Sequence, residues 1–133
     1  MSRTIKFRVW DIPNQCWSDL FHAITEDGAL WHFPNSGLAE RDDPEQYTAE
    51  QYTGLKDTNG KEIYEGDIVK GRWWRAKNAR LDTDGEIKFN DGWFYIKDDP
   101  DGQDRLGVPI HNCYNLEIIG NIHENPELIG GKK

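Results

Sequence analysis

The run Lys70-Gly-Arg-Trp-Trp-Arg-Ala-Lys-Asn-Ala-Arg80 comes nearest to a chemical purpose. It holds five cations and no anion, although the chain carries 24 carboxylates and a net charge of −8. Cations interleaved with indole rings suit single-stranded nucleic acid, whose bases stack on the rings while Arg and Lys hold phosphates. They suit a protein partner equally, because Trp and Arg are enriched among the residues that dominate binding energy. A third reading needs no ligand: one Trp packs in the core, the other covers the end of a barrel, and the cations balance acidic neighbours in space. The binding residues expected from this segment are Arg72, Trp73, Trp74, Arg75, Lys77 and Arg80. A protein is preferred as partner over nucleic acid, since phosphate attraction is chiefly a cationic effect and the rest of the chain is strongly acidic.

Other reactive residue types are present without a complete set. Asp57, Asn59 and Gly60, Asp82, Asp84 and Gly85, and Asp99, Asp101 and Gly102 each resemble part of a calcium loop. Such a loop needs ligands at positions 1, 3 and 5 and a bidentate Glu at position 12, which none of the three supplies, so turn chemistry accounts for them. A hairpin would bring His22 and His32 side by side with Cys16 nearby, but zinc wants three or four closely placed ligands. His111, Cys113 and His123 show no ligand spacing, and structural or surface histidines are expected; no metal or cofactor is. The serines are Ser2, Ser18 and Ser36, none in a nucleophile elbow, and His111 and Cys113 lack an evident orienting carboxylate. No GxxxxGK[ST] or GxGxxG run cradles a phosphate. The expectation is a protein that is not an enzyme.

The bulk properties constrain what positions these residues. At 133 residues the chain has the size of one domain, able to build a core without disulfide or metal staples. Its hydrophobic fraction of 36% is low, but it includes six Trp, five Tyr and five Phe, so an aromatic-weighted core is expected. No apolar run approaches the roughly 20 residues of a membrane span. The N-terminal Met-Ser-Arg-Thr-Ile-Lys has no apolar signal region, which points to a reducing cytoplasm and to Cys16 and Cys113 as small buried thiols rather than a disulfide.

Period-two alternation predicts strands, and Gly, Asp, Asn and Pro clusters predict the turns between them. Thr4–Trp10 alternates Ile5, Phe7 and Val9 with polar positions, and Asp11-Ile-Pro-Asn14 is a turn. Cys16–Ile24 and Ala29–Phe33 follow, joined at Glu26-Asp27-Gly28, giving a three-stranded meander over residues 1–34. Residues 35–50 read as a solvated polar loop. Asn59-Gly60 is a strong hairpin signal because both residues tolerate positive φ. Further strands are expected at Gly71–Trp74, Gly85–Phe89, Trp93–Lys97, Val108–Ile110 and Leu116–Ile119, with turns at Asp82-Thr-Asp-Gly85, Asn90-Asp-Gly92 and Asp98–Gly102. Asn121–Leu128 offers one helical turn before a disordered tail over 129–133. This is a mainly β chain with little helix, built of small antiparallel sheets in a barrel or sandwich.

Three segments together resemble the YopX family of small phage and prophage proteins: Ile5-Lys-Phe-Arg-Val-Trp-Asp11, the run Gln51-Tyr-Thr-Gly-Leu-Lys-Asp-Thr-Asn-Gly-Lys-Glu-Ile-Tyr-Glu-Gly-Asp-Ile-Val-Lys70, and Leu116-Glu-Ile-Ile-Gly-Asn-Ile-His-Glu-Asn-Pro-Glu-Leu128. Residues 34–50 and 73–81 fall outside these motifs. The resemblance implies one domain over 1–133 with an SH3-like barrel in its C-terminal part, residues 51–128. It also implies a phage or prophage origin and so a bacterial cytoplasm, and it assigns no activity and no catalytic residue. A non-enzymatic module that binds a phage or host protein is expected, with a nucleic-acid accessory protein as the alternative. Self-association is also expected to be open to the chain, because a small barrel leaves strand edges that pair between copies.

Overall fold

The computed structural model describes residues 4–34, 37–76, 79–90, 92–97 and 107–130, without the side chains of 74–76, 79–82 and 129–130. Its strands fall into small antiparallel sheets, as the alternation predicts. The chain divides into two compact units, Lys6–Gln51 and a second that takes in Tyr52–Lys133.

In the first unit β1 (Phe7–Asp11) pairs with β2 (Cys16–Trp17) and with the first half of β6 (Tyr47–Lys56), while β3 (Phe21–Ile24), β4 (Leu30–Phe33) and β5 (Glu40–Arg41) form a separate three-stranded sheet. The expected meander is therefore split. Cys16–Ile24 is two strands, because the Ser18 hydroxyl accepts the Leu20 N–H and turns the chain locally in competition with a ladder. The face expected inward on β1 is also corrected: Ile5 and Phe7 are exposed and Trp10 is buried. The register sets Trp10 opposite Trp17, whose rings meet edge to face at 4.8 Å, and the larger rings take the interior. The turn at Asp11–Asn14 is present, closed by the Asp11 carboxylate, which accepts the Asn14 backbone and side-chain N–H groups at 3.2 and 2.8 Å.

The stretch read as a polar loop carries β5 and the start of β6. Its poverty in apolar residues misled because its inward side chains are polar or phenolic: Asp42, Tyr47 and Glu50 are buried. Glu50 is matched by Arg8 at 2.9 Å, whose guanidinium also lies 4.3 Å from the centre of the Trp17 ring.

In the second unit the rest of β6 pairs with β7 (Glu62–Tyr64), and β8 (Asp67–Ala76), β9 (Ala79–Asn90), β10 (Trp93–Lys97), β11 (Val108–Pro109) and β12 (Cys113–Asn121) make a five-stranded sheet in the order β11-β10-β9-β8-β12. Its core is aliphatic: Ile63, Val69, Ile87, Ile96, Ile110 and Leu116. This corrects the aromatic-weighted core, for Phe89 and Trp93 stay exposed. One or two branched side chains from each element suffice, because antiparallel strands present alternate residues to one face.

Two buried carboxylates fasten the segment that enters β8. Asp57 accepts the N–H groups of Asn59 and Lys61 on one oxygen, both at 2.9 Å, and that of Ile118 on the other at 3.1 Å. The Asn59-Gly60 turn is thereby tied to β12. Asp67 accepts the Tyr64 N–H at 2.8 Å, and between them Gly66 sits at φ 85, a bend closed to most side chains. β8 begins at the next residue.

The turn expected at Asp82–Gly85 is instead the middle of β9. Thr83 is buried, and the register places Asp84 opposite Lys70 and Asp82 opposite Arg72. Cross-strand charge pairing favours extension where local composition favours a turn. At the C-terminus Asn121 accepts the N–H groups of His123 and Glu124, and a short helix α1 (Glu127–Gly130) follows. The first two residues expected in the tail thus belong to this helix; residues 131–133 and 98–102 lie outside the described residues.

Candidate functional site

The structure divides the Lys70–Arg80 segment between two strands. Lys70 and Arg72 are exposed on β8, while Trp73, half-buried, follows the inward phase of Val69 and Gly71. The Lys70 ammonium lies 3.3 Å from the Glu117 carboxylate on β12, besides standing opposite Asp84. A polar groove of about 600 Å³ opens here, lined by Lys70, Arg72, Thr83, Asp84 and Asn115. Its charges are of both signs, so the lining is not the uniformly basic track that phosphates favour. Trp74, Arg75 and Arg80 are placed on the β8 and β9 backbones, but their side chains lie outside the described residues, as does all of Lys77.

A second groove, about 410 Å³, lies between β6, β10 and the 3₁₀ turn Ile110–Asn112. Leu55, Trp93, Phe94, Ile110 and His111 line it, with Thr53 at one side. The β9–β10 pairing sets Trp93 opposite Asn90, and the Trp93 indole stacks on the His111 imidazole at 4.9 Å and 22°. Trp93 remains 49% and Leu55 38% exposed. His111 is therefore a ring-stacking partner, and Cys113 reaches a different group, the Pro109 carbonyl, at 3.6 Å. Neither histidine nor thiol forms the pair that their spacing allowed.

The cysteines differ from each other. Burial pushes the Cys113 thiol up to about 11, whereas Cys16 is exposed, contrary to the expectation of two buried thiols. Only the thiolate attacks alkylating reagents. At pH 8 iodoacetamide is expected to modify Cys16 at least about tenfold faster than Cys113, read by peptide mass spectrometry. Equal rates would contradict this placement.

The densest cluster of reactive types is one that sequence reasoning missed. His22 and His32 face each other across the β3–β4 hairpin, as expected, but the group between them is Asp42, not Cys16. Asp42 follows β5, and its side chain is 1% exposed. One carboxylate oxygen accepts His22 Nδ1–H at 2.9 Å, and the other accepts His32 Nδ1–H. An ionised carboxylate only accepts, so both rings carry their proton on Nδ1. His32 Nε2 lies 3.5 Å from Glu40, and His22 Nε2 meets the Ser18 hydroxyl at 2.7 Å. The Tyr47 ring packs against both imidazoles, at 5.1 and 5.7 Å. The only sequence signal was the pair of histidines on facing strands of one hairpin, which calls for a buried carboxylate without saying where. Among the described residues no group of three or more His, Cys, Asp and Glu is arranged to hold a metal ion. Ser2 and Ser36 lie outside the described residues.

The chain is similar over nearly its whole length to solved structures. Protein EF1440 from Enterococcus faecalis shares 30% identity over 96% of this chain and 99% of its own, with a TM-score of 0.58. Protein yopX from Bacillus subtilis shares the fold at 23% identity, covering 96% of this chain and 97% of its own, with a TM-score of 0.54. No protein with a curated description matches. The family model described as YopX protein matches residues 6–130, and the chain belongs to the YopX family.

Proposed function

We propose that the protein is a binding module for another protein, encoded by a phage or prophage and working in the bacterial cytoplasm, and that the groove beside Trp93 takes an extended segment of the partner. The observation that carries this reading is the exposed indole of Trp93 stacked on His111, with Leu55 beside it. A ring already held by stacking loses little freedom on binding, and apolar contact on its open face then stabilises a complex without an ordering cost of similar size. The groove lining is rings, aliphatic side chains, Thr53 and one imidazole, a composition suited to recognition. Membership of the YopX family, from whose resemblance a phage or prophage origin was expected, supports that origin. That no described helix is long and apolar enough to cross a membrane agrees with the location. The five-stranded antiparallel sheet, read as an SH3-like barrel, supports a binding role by analogy of form.

The single-strand nucleic acid alternative is disfavoured because Lys70 and Arg72 stand opposite acidic residues. A photo-crosslinking residue placed at Leu55, in cells carrying the phage genes, is expected to trap a protein partner, and Trp93→Ala is expected to remove the crosslink. A crosslink indifferent to Trp93→Ala would overturn the groove. Retention on single-stranded DNA at low salt that falls steeply as salt rises would transfer the role to nucleic acid.

A further inference from the structure

The groove leaves one arrangement without a use. Ser18, His22 and Asp42 form a continuous chain of hydrogen bonds: Oγ to Nε2 at 2.7 Å, and Nδ1 to carboxylate at 2.9 Å. Each link has the polarity that activation of a hydroxyl requires. Asp42 fixes the proton of His22 on Nδ1, so in the neutral ring Nε2 is left as an acceptor facing the hydroxyl. The Ser18 oxygen accepts the Leu20 N–H at 3.2 Å, which leaves the hydroxyl's own proton for Nε2. The base is held on every side. His32 occupies the second oxygen of Asp42, Tyr47 packs on both rings, and Asp42 is shut from water. Ser18 itself is half-buried and reachable, anchored through its N–H to the Val9 carbonyl at 2.8 Å.

We propose that Ser18 is an activated nucleophile that accepts an acyl group from an activated carboxylic ester. The Ser18 oxygen forms a bond to the acyl carbon as its proton passes to His22 Nε2. The bond from acyl carbon to leaving oxygen breaks, and the departing aryloxide or alkoxide takes the proton from His22. The products are the Ser18 ester and a free phenol or alcohol; no redox partner is needed. Asp42 and His32 act as positioning residues that hold the ring of His22. A merely structural role for the chain, fastening the turn between β2 and β3, would give the same hydrogen bonds but no reactivity.

The probes are a fluorophosphonate and p-nitrophenyl acetate, with the full-length protein. A single adduct mapped to Ser18 by peptide mass spectrometry is the expected result, with no adduct in Ser18→Ala. No adduct, or one confined to a tyrosine or lysine, overturns the proposal on the wild-type protein alone. Asp42→Asn places an amide where His22 Nδ1–H donates, and it is expected to slow labelling at least about tenfold while the circular dichroism spectrum is retained. Unchanged labelling in a folded Asp42→Asn protein would overturn the activation. Should that variant unfold, the wild-type adduct site decides.

Discussion

Gly85→Ala is expected to lower stability by about 3 kcal/mol and the thermal midpoint by on the order of 10 °C. A methyl group at residue 85 would lie 2.1 Å from the Lys97 carbonyl oxygen and 3.2 Å from the Ile96 side chain. The first is a backbone atom and has no rotamer to yield. Relief requires β9 and β10 to part by about an ångström where Glu86 pairs with Lys97 and Ile87 with Ile96. That movement stretches ladder hydrogen bonds and opens the aliphatic core at two of its fully buried members, Ile87 and Ile96. Thermal melting followed by circular dichroism checks the outcome, and a midpoint within 2 °C of wild type, on the order of the assay error, would contradict the close approach of the two strands.

The same glycine shows where local sequence was a poor guide. Asp82-Thr-Asp-Gly85 has the composition of a turn, and no neighbour in sequence says otherwise. What decides against the turn is non-local: the acidic positions stand opposite Lys70 and Arg72, Thr83 is buried, and Gly85 is small for the sake of β10 rather than for its own φ. Hairpins closed by short-range chemistry were legible for the opposite reason. Asn59-Gly60 turns where its backbone requires it, Gly92 sits at φ 84 between β9 and β10, and the strands on either side follow. The core composition misled through weight of numbers. Sixteen rings suggested an aromatic interior, whereas the second unit buries isolated aliphatic residues such as Ile63, Ile87 and Ile110 that stand out in no window of the sequence. In the first unit hydrophobic patterning could not find Asp42, because the partners that make its burial tolerable are two imidazoles on another hairpin. Of the binding residues expected from composition, Trp73 follows the inward phase and Arg72 stands opposite Asp82 in the register, positions that depend on a strand distant in sequence.

The run from Gln51 to Lys70 carried the family resemblance, and the structure gives it an architectural meaning that leads to the second large effect. Asp57 is buried and accepts three backbone N–H groups, two from its own turn and one from Ile118 on β12. Burial alone would raise its carboxyl, but the donors of Ile118, Lys61 and Asn59, with the charge of Lys61, together outweigh it and hold the group below its usual range. A carboxyl depressed in the folded state stabilises the fold above its unfolded value of about 3.9, and that contribution is lost as pH falls through the folded value. Asp57→Ala strands the three donors and is expected to cost about 3 kcal/mol in urea denaturation at pH 7. Asp57→Asn should do nearly as badly, although it is isosteric. Whichever way the amide is turned, its NH₂ group faces either the Ile118 N–H or the pair from Asn59 and Lys61, donor against donor. The asparagine variant should also lose part of the acid sensitivity of the wild type below about pH 4, because no proton is then taken up at this site. An asparagine protein as stable as wild type at pH 7 would mean that the turn is held to β12 by the Thr58 N–H on the Leu116 carbonyl, at 2.8 Å, and not by the carboxylate.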